Sequence, residues 1–300
     1  MKKTFQKTLL AAAAGVALMG TASANSLLFP YFTTATGAQS VLSLTNIGGA
    51  TESVHYVYNY GASCTHYDAY GSLTNNDILS HSIAATSAGG FGKVVSSDTS
   101  TPVYFPLANQ TGFLVVSNKS TAATNALRGS MAIVDPASGL VVSYQGIDNA
   151  LDTMAGGEGD FSTITDGVAT NFGLSYLPSA MVSTSWYTVV VGNMNAAIIG
   201  GLNWGGAVTL SNNGNVYNND EVAYSGTATK AITCAGSIVA TDLGTSAQNA
   251  AVGTNGGLIK TTGAAVGATG VVMMKMQTVQ AAAGAPFAGK QFLHRDQAGN

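Results

Sequence analysis

The chain has 300 residues, 46% hydrophobic and 8% charged, with 37 glycines and a formal net charge of −3. Disorder requires low hydrophobicity and high charge, so this composition predicts a folded chain. Charge is far below the roughly 25% usual in soluble domains, so Thr, Ser, Asn and Gly must cover the surface, and nothing in the mild acidity calls for nucleic acid or anionic lipid as a partner.

In chain order, the first element is a leader. Met1-Lys2-Lys3 is basic, Leu9 to Met19 is apolar, and Thr21-Ala22-Ser23-Ala24 is a small-residue site. That is the layout of a secretory signal peptide cut after Ala24, with an apolar run too short to span a bilayer; a buried N-terminal helix is the other reading. Export to the surface of a Gram-negative bacterium is the expectation. Removing Lys2, Lys3 and Lys7 leaves 11 − 3 = 8 basic residues against 14 acidic ones, so the net charge falls to 8 − 14 = −6. Asn25, not a cysteine, follows the cut, so no lipid anchor is expected there.

The mature chain reads as β. Ser40 to Asn46 alternates polar and apolar residues before Gly48-Gly49. Val54 to Tyr60 places Val54, Tyr56, Tyr58 and Tyr60 on one face and His55, Val57 and Asn59 on the other, before Gly61. Both have the period of two and the β-branched or aromatic residues of strands. Further strands are expected over Ile78–Ala84, Gly112–Ser117, Leu127–Val134, Leu140–Tyr144, Ser185–Val191, Gly206–Leu210, Thr229–Cys234 and Val271–Val279. Asp135-Pro136-Ala137-Ser138-Gly139 between two apolar runs signals a hairpin. Short helices are expected over Ala247–Val252 and Asp148–Ala155, and Gln280–Ala285 is ambiguous.

Gly156-Gly157-Glu158-Gly159-Asp160 marks a boundary. The expected layout is a leader over residues 1–24, an N-terminal β-sandwich over 25–150, and a second β-rich region over 151–300 packed on the first. The fold class is all-β: one or two closely packed antiparallel, Ig-like sandwich layers with long Gly/Asn/Thr-rich loops. Cys64 and Cys234 permit one disulfide in an exported protein, favoured here over free thiols or intermolecular bridges.

Leu27-Leu28-Phe29-Pro30-Tyr31-Phe32-Thr33-Thr34, then Ser40 to Asn46 and Gly112-Phe113-Leu114-Val115-Val116-Ser117-Asn118, are similar to the motifs of one group of proteins. These are exported bacterial cell-surface β-sandwich proteins of uncharacterised function, with an N-terminal LFP(F/Y)xT motif. The resemblance covers roughly Asn25 to Asp135, and Cys64 falls where those proteins often carry a cysteine. It implies a cell-surface sandwich and no catalytic residues.

Candidate chemistry is sparse. His55, Cys64 and His66 lie within twelve residues, with His81 and His294 elsewhere, but without the close ligand spacing of a transition-metal site. Strand-face histidines are the better reading. Asn212-Asn213-Gly214-Asn215 and Asn218-Asn219-Asp220-Glu221 form an oxygen-rich stretch. Asn215, Asp220 and Glu221 are weak Ca²⁺ candidates, against the preferred reading of a polar turn. Glu158, Asp160 and Asp166 read as solvated turns. No nucleophile elbow, phosphate-cradling loop or facing carboxylate pair is present, and His294-Arg295-Asp296 resembles a kinase triplet only as letters.

Tyr56, Tyr58, Tyr60, Tyr67 and Tyr70 are the densest aromatic cluster. They read either as a sugar-stacking or subunit-contact surface or, preferably, as core lining. The expected function is a non-catalytic, secreted structural protein that assembles with its own copies into a surface layer or filament, needing no cofactor. In that reading Leu27, Leu28, Phe29, Pro30, Tyr31 and Phe32 form an extended segment able to add to a neighbour's sheet edge. Alternatives are an exported module binding cell-surface glycans or another ligand, a monomeric extracellular domain, and an outer-membrane β-barrel, although the last lacks an aromatic C-terminal strand.

Overall fold

A computed structural model describes residues 26–35, 37–61, 64–85, 92–97, 103–105, 109–118, 126–135, 140–148, 170–192, 206–252, 255–266, 268–279 and 291–295. The expected leader, the expected boundary segment Gly156–Asp160 with Asp166, and the 280–285 stretch lie outside the described residues. The fold is all-β, with several antiparallel sheets packed together. The chain divides into two compact units.

The first unit holds β1 (Ser26–Thr33), β2 (Gln39–Asn46), β3 (Glu52–Tyr60), β4 (Thr65–Leu73), β5 (Ile78–Ala85), β6 (Gly92–Ser96), β7 (Val103–Phe105), β8 (Thr111–Asn118), β9 (Leu127–Asp135), β10 (Leu140–Gln145) and β11 (Ile147–Asp148). They form two sheets, β11-β1-β8-β3-β4 and β10-β9-β2-β5-β6-β7. Alternation decides the packing. Leu27, Phe29, Val54, Tyr56, Tyr58, Leu114 and Val116 of the first sheet share one core with Leu42, Leu44, Leu79, Ile83, Leu127 and Met131 of the second. Leu28, Val57, Phe113 and Val115, on the other face of the first sheet, are buried as well. The β9–β10 hairpin runs in register from Asp135↔Leu140 to Ser130↔Gln145, as the turn residues between them indicate.

The second unit holds β12 (Phe172–Tyr176), β13 (Val182–Gly192), β14 (Ala207–Ser211), β15 (Asn215–Asn218), β16 (Ala223–Ser225), β17 (Thr229–Thr233), β18 (Ala235–Val239), β19 (Gly257–Val266), β20 (Ala268–Val279) and β21 (Gln291–Arg295), together with Cys64. A single 3-10 turn (Ala240–Leu243) and α1 (Ser246–Val252) follow β18. One sheet runs β16-β15-β19-β14-β17, with β12 also on β19, and the other runs β18-β13-β20-β21. Their core contains Phe172, Leu174, Trp186, Val190, Leu210, Ile238, Ile259 and Met273.

One expectation changes. Asp148 belongs to a strand paired with Leu27 rather than to a helix start; the rest of that expected helix lies outside the described residues. Among the described residues, the two sheets of each unit share one core. No described helix is long and apolar enough to cross a membrane.

Candidate functional site

The N-terminal strand is an integral part of its own sheet. β1 pairs with β8 from Ser26↔Ser117 to Thr33↔Thr111, and its register slips by one residue between Phe29 and Phe32, the bulge that accommodates Pro30. Leu27, Leu28, Phe29, Pro30, Tyr31 and Phe32 are all buried. The rings of Phe29 and Phe32 rest on glycines. A Cβ on Gly129 would meet Phe29 at 2.9 Å, and one on Gly112 would meet Phe32 at 2.7 Å.

On its other edge, β1 has only Leu27 and Leu28 paired with β11. Beyond them, hydroxyl groups stand in for a strand. The Tyr144 hydroxyl accepts from the Tyr31 N–H at 3.1 Å and donates to the Tyr31 carbonyl. Ser40 Oγ accepts from the Thr33 N–H and donates to the Thr33 carbonyl, both at 3.0 Å. An edge whose backbone groups are satisfied in this way is no longer a template for another chain. The segment expected to add to a neighbour's sheet edge pairs within its own sheet here, where its apolar side chains are buried.

The β3–β4 hairpin carries the aromatic cluster and divides it. Tyr56 and Tyr58 are fully buried, Tyr60 is 9% exposed, and Tyr67 packs against the core from its margin. These four line the core rather than a contact surface, because the face they share is the inner one. Tyr58 lies 2.7 Å from His81 Nδ1, and the Tyr56 ring is 4.5 Å from the same imidazole. Burial lowers the His81 pKa to about 4 and pushes Tyr58 well above the ordinary phenol value. Both groups are thus neutral, and Tyr58 O–H donates to Nδ1.

The opposite face of the hairpin gathers polar groups that the sequence left scattered. Register sets His55 opposite Tyr70, Val57 opposite Asp68 and Asn59 opposite His66. His55 Nε2 is 2.9 Å from Asp68 Oδ1, and His66 Nε2 is 3.4 Å from Oδ2. One carboxylate thus bridges two imidazoles. Tyr70 stacks flat on His55, with ring centroids 4.2 Å apart and planes 2° apart, yet remains 70% exposed. Among the described residues, no three His, Cys, Asp or Glu side chains are disposed to hold a metal ion.

Cys64, in the turn of this hairpin, and Cys234, between β17 and β18, are joined as a disulfide with Cα atoms 5.6 Å apart. Both have left-handed backbone, φ 53° and 65°. The bond closes a separation of 170 residues.

Much of the stretch holding the Ca²⁺ candidates is bonded to its own backbone. Asn218 Oδ1 accepts from the N–H groups of Asp220 and Val222, and Asn212 Oδ1 from those of Gly214 and Ala228. These two carboxamide oxygens thus hold the turns of the stretch. Asp220 and Glu221 point into solvent, and Asn215 sits in β15.

The outer surface of the β17-β14-β19 sheet is a neutral grid. Register aligns Ala231-Thr209-Ala264 and Thr229-Ser211-Thr262 across the three strands, with Thr233 beside Ala207. Thr209, Thr229, Thr233, Thr262, Ala231 and Ala264 are exposed. Neighbouring strands lie about 4.8 Å apart and alternate residues about 6.7 Å, so the hydroxyls and methyls form a flat, regular array. At its border, β19 carries Lys260, whose Nζ lies 5.8 Å over the Tyr217 ring. Compared with protein-family models, curated proteins and solved structures, the chain matches none.

Proposed function

We propose that the chain is a secreted structural protein of the bacterial cell surface whose copies pack side by side into a layer or filament. The observation that carries this reading is the Thr/Ala/Ser grid of the β17-β14-β19 sheet, neutral across Thr209, Ser211, Thr229, Ala231, Thr262 and Ala264, with Lys260 at its border. Covering hydroxyls and methyls with a second neutral face costs far less desolvation than covering ions. The scarcity of charge over the whole chain supports it, since copies repel each other weakly. The leader supports export. With β1 occupied in its own sheet, faces rather than an exchanged strand are the means of contact.

The test is sedimentation and electron microscopy of the concentrated mature protein, with and without Ca²⁺, alongside Thr209→Lys. Ordered assemblies that Thr209→Lys disperses are expected, because the substitution puts a cation at the centre of the grid. A protein that stays monomeric at every concentration overturns the proposal.

A further inference from the structure

We propose that the outward strip of β4, from His66 through Asp68 and Tyr70 to Ser72, is a binding surface for a neutral saccharide. This goes beyond self-assembly and does not depend on it.

The argument starts from Tyr70. At 70%, it is the most exposed of the large apolar side chains among the described residues, and its other side is stacked. Its underside lies flat on His55, which is completely buried and bonded to Asp68 through Nε2. A ring pinned from below loses little entropy when something settles on its accessible surface. The C–H face of a pyranose is the apolar, flat partner that such a ring takes by dispersion.

The neighbours supply the polar half of the site. His66, Asp68, Tyr70 and Ser72 alternate along one face of the strand, and His66 to Ser72 spans about 20 Å at the usual strand rise. That length accommodates more than one sugar ring. Asp68, one-third exposed, keeps acceptor capacity beyond the two imidazoles it bridges, and a carboxylate has about four lone-pair sites. Ser72, exposed, adds a hydroxyl beside Tyr70. An aromatic platform flanked by an acceptor carboxylate, an imidazole and a hydroxyl matches the alternating C–H and O–H surfaces of a sugar. Asp68 and the chain's net negative charge disfavour anionic polysaccharides, which selects a neutral glycan.

The experiment titrates the mature protein, at a concentration where it is monodisperse, with cellotriose and with chitotriose, and follows the Tyr70 and His66 ring resonances by NMR. A saturable shift with at least one trisaccharide is expected. Tyr70→Ala should weaken it about tenfold or more, as truncating an aromatic anchor does. Tyr70→Phe should bind like the parent, and Asp68→Asn should bind more weakly. Thermal melting of Tyr70→Ala close to the parent's shows that the loss is local. No saturable shift with either sugar at millimolar concentration, or Tyr70→Ala binding as well as the parent, overturns the proposal. Self-association, read separately by sedimentation, is untouched by either result.

Discussion

The two units tie down their loops by the same device but differ in what else they bury. In the first, the Asn46 side chain is fully buried. Its Nδ2 donates to the carbonyls of Ala50, Leu73 and Thr74, and its Oδ1 accepts from the Gly48 N–H. In the second, Gln248 is 1% exposed. Its Nε2 donates to the carbonyls of Tyr224 and Gly226, while its Oε1 accepts from the Thr245 N–H and from Asn212 Nδ2. A carboxamide offers donors and an acceptor together and never ionises, so it satisfies several loop backbones at any pH. Beyond this, the first unit places imidazoles inside, His55 and His81, whereas the second sets the Lys230–Asp242 pair, at 2.9 Å, on its partly exposed rim. Acid sensitivity should therefore reside in the first unit.

The largest effects test the shared device. Gln248→Ala orphans four buried or half-buried groups, at about 1–3 kcal/mol for each one left without a partner, whereas Asn46→Ala orphans the buried Leu73 carbonyl and three groups on exposed residues. Gln248→Ala should destabilise its unit by at least 3 kcal/mol or so and Asn46→Ala by somewhat less, each seen as faster amide exchange confined to its own unit. Exchange that accelerates equally in both units would break the comparison.

Acid comes next. The His81 pKa is depressed from the ordinary 6.5 to about 4, so folding favours the neutral ring. The associated stability is complete above about pH 6.5 and is lost as the pH falls toward 4, on the order of 3 kcal/mol at about 1.4 kcal/mol per pH unit. Urea unfolding followed from pH 7 to 4 should show that decline. His81→Leu should flatten it, whatever the variant's stability at neutral pH.

The smallest effect concerns the edge of β1. Tyr144→Phe leaves the Tyr31 N–H and carbonyl without their hydroxyl partner and should cost about 1–2 kcal/mol. Exchange of the Tyr31 amide should quicken while that of residues in the β1–β8 ladder holds. An unchanged Tyr31 amide would mean that the hydroxyl does not protect this edge.

Several features were legible before any coordinates. The strands over Ser40–Asn46, Val54–Tyr60 and Leu127–Val134, and the short helix near Ala247, follow from period and turn chemistry. So does the division of β3 into a tyrosine face and a His55/Val57/Asn59 face. The tyrosine face was preferred as core lining and does line the core, but the burial of His55, Val57 and Asn59 on the other face was not legible. β4 and β19 escaped because Thr65–Leu73 and Gly257–Val266 are mostly polar or small, without the apolar alternation that announces a strand.

Local patterning therefore determined the strand-rich class, since it depends on residue type and near-neighbour spacing. Register across strands decided the rest. It set His55 beneath Tyr70, joined Asp68 to two histidines, lined up Thr209 with Ala231 and Ala264, and brought Tyr144 to the open edge of β1. Those contacts arise from how separate segments pair, and pairing is a property of the folded sheet that no single segment encodes.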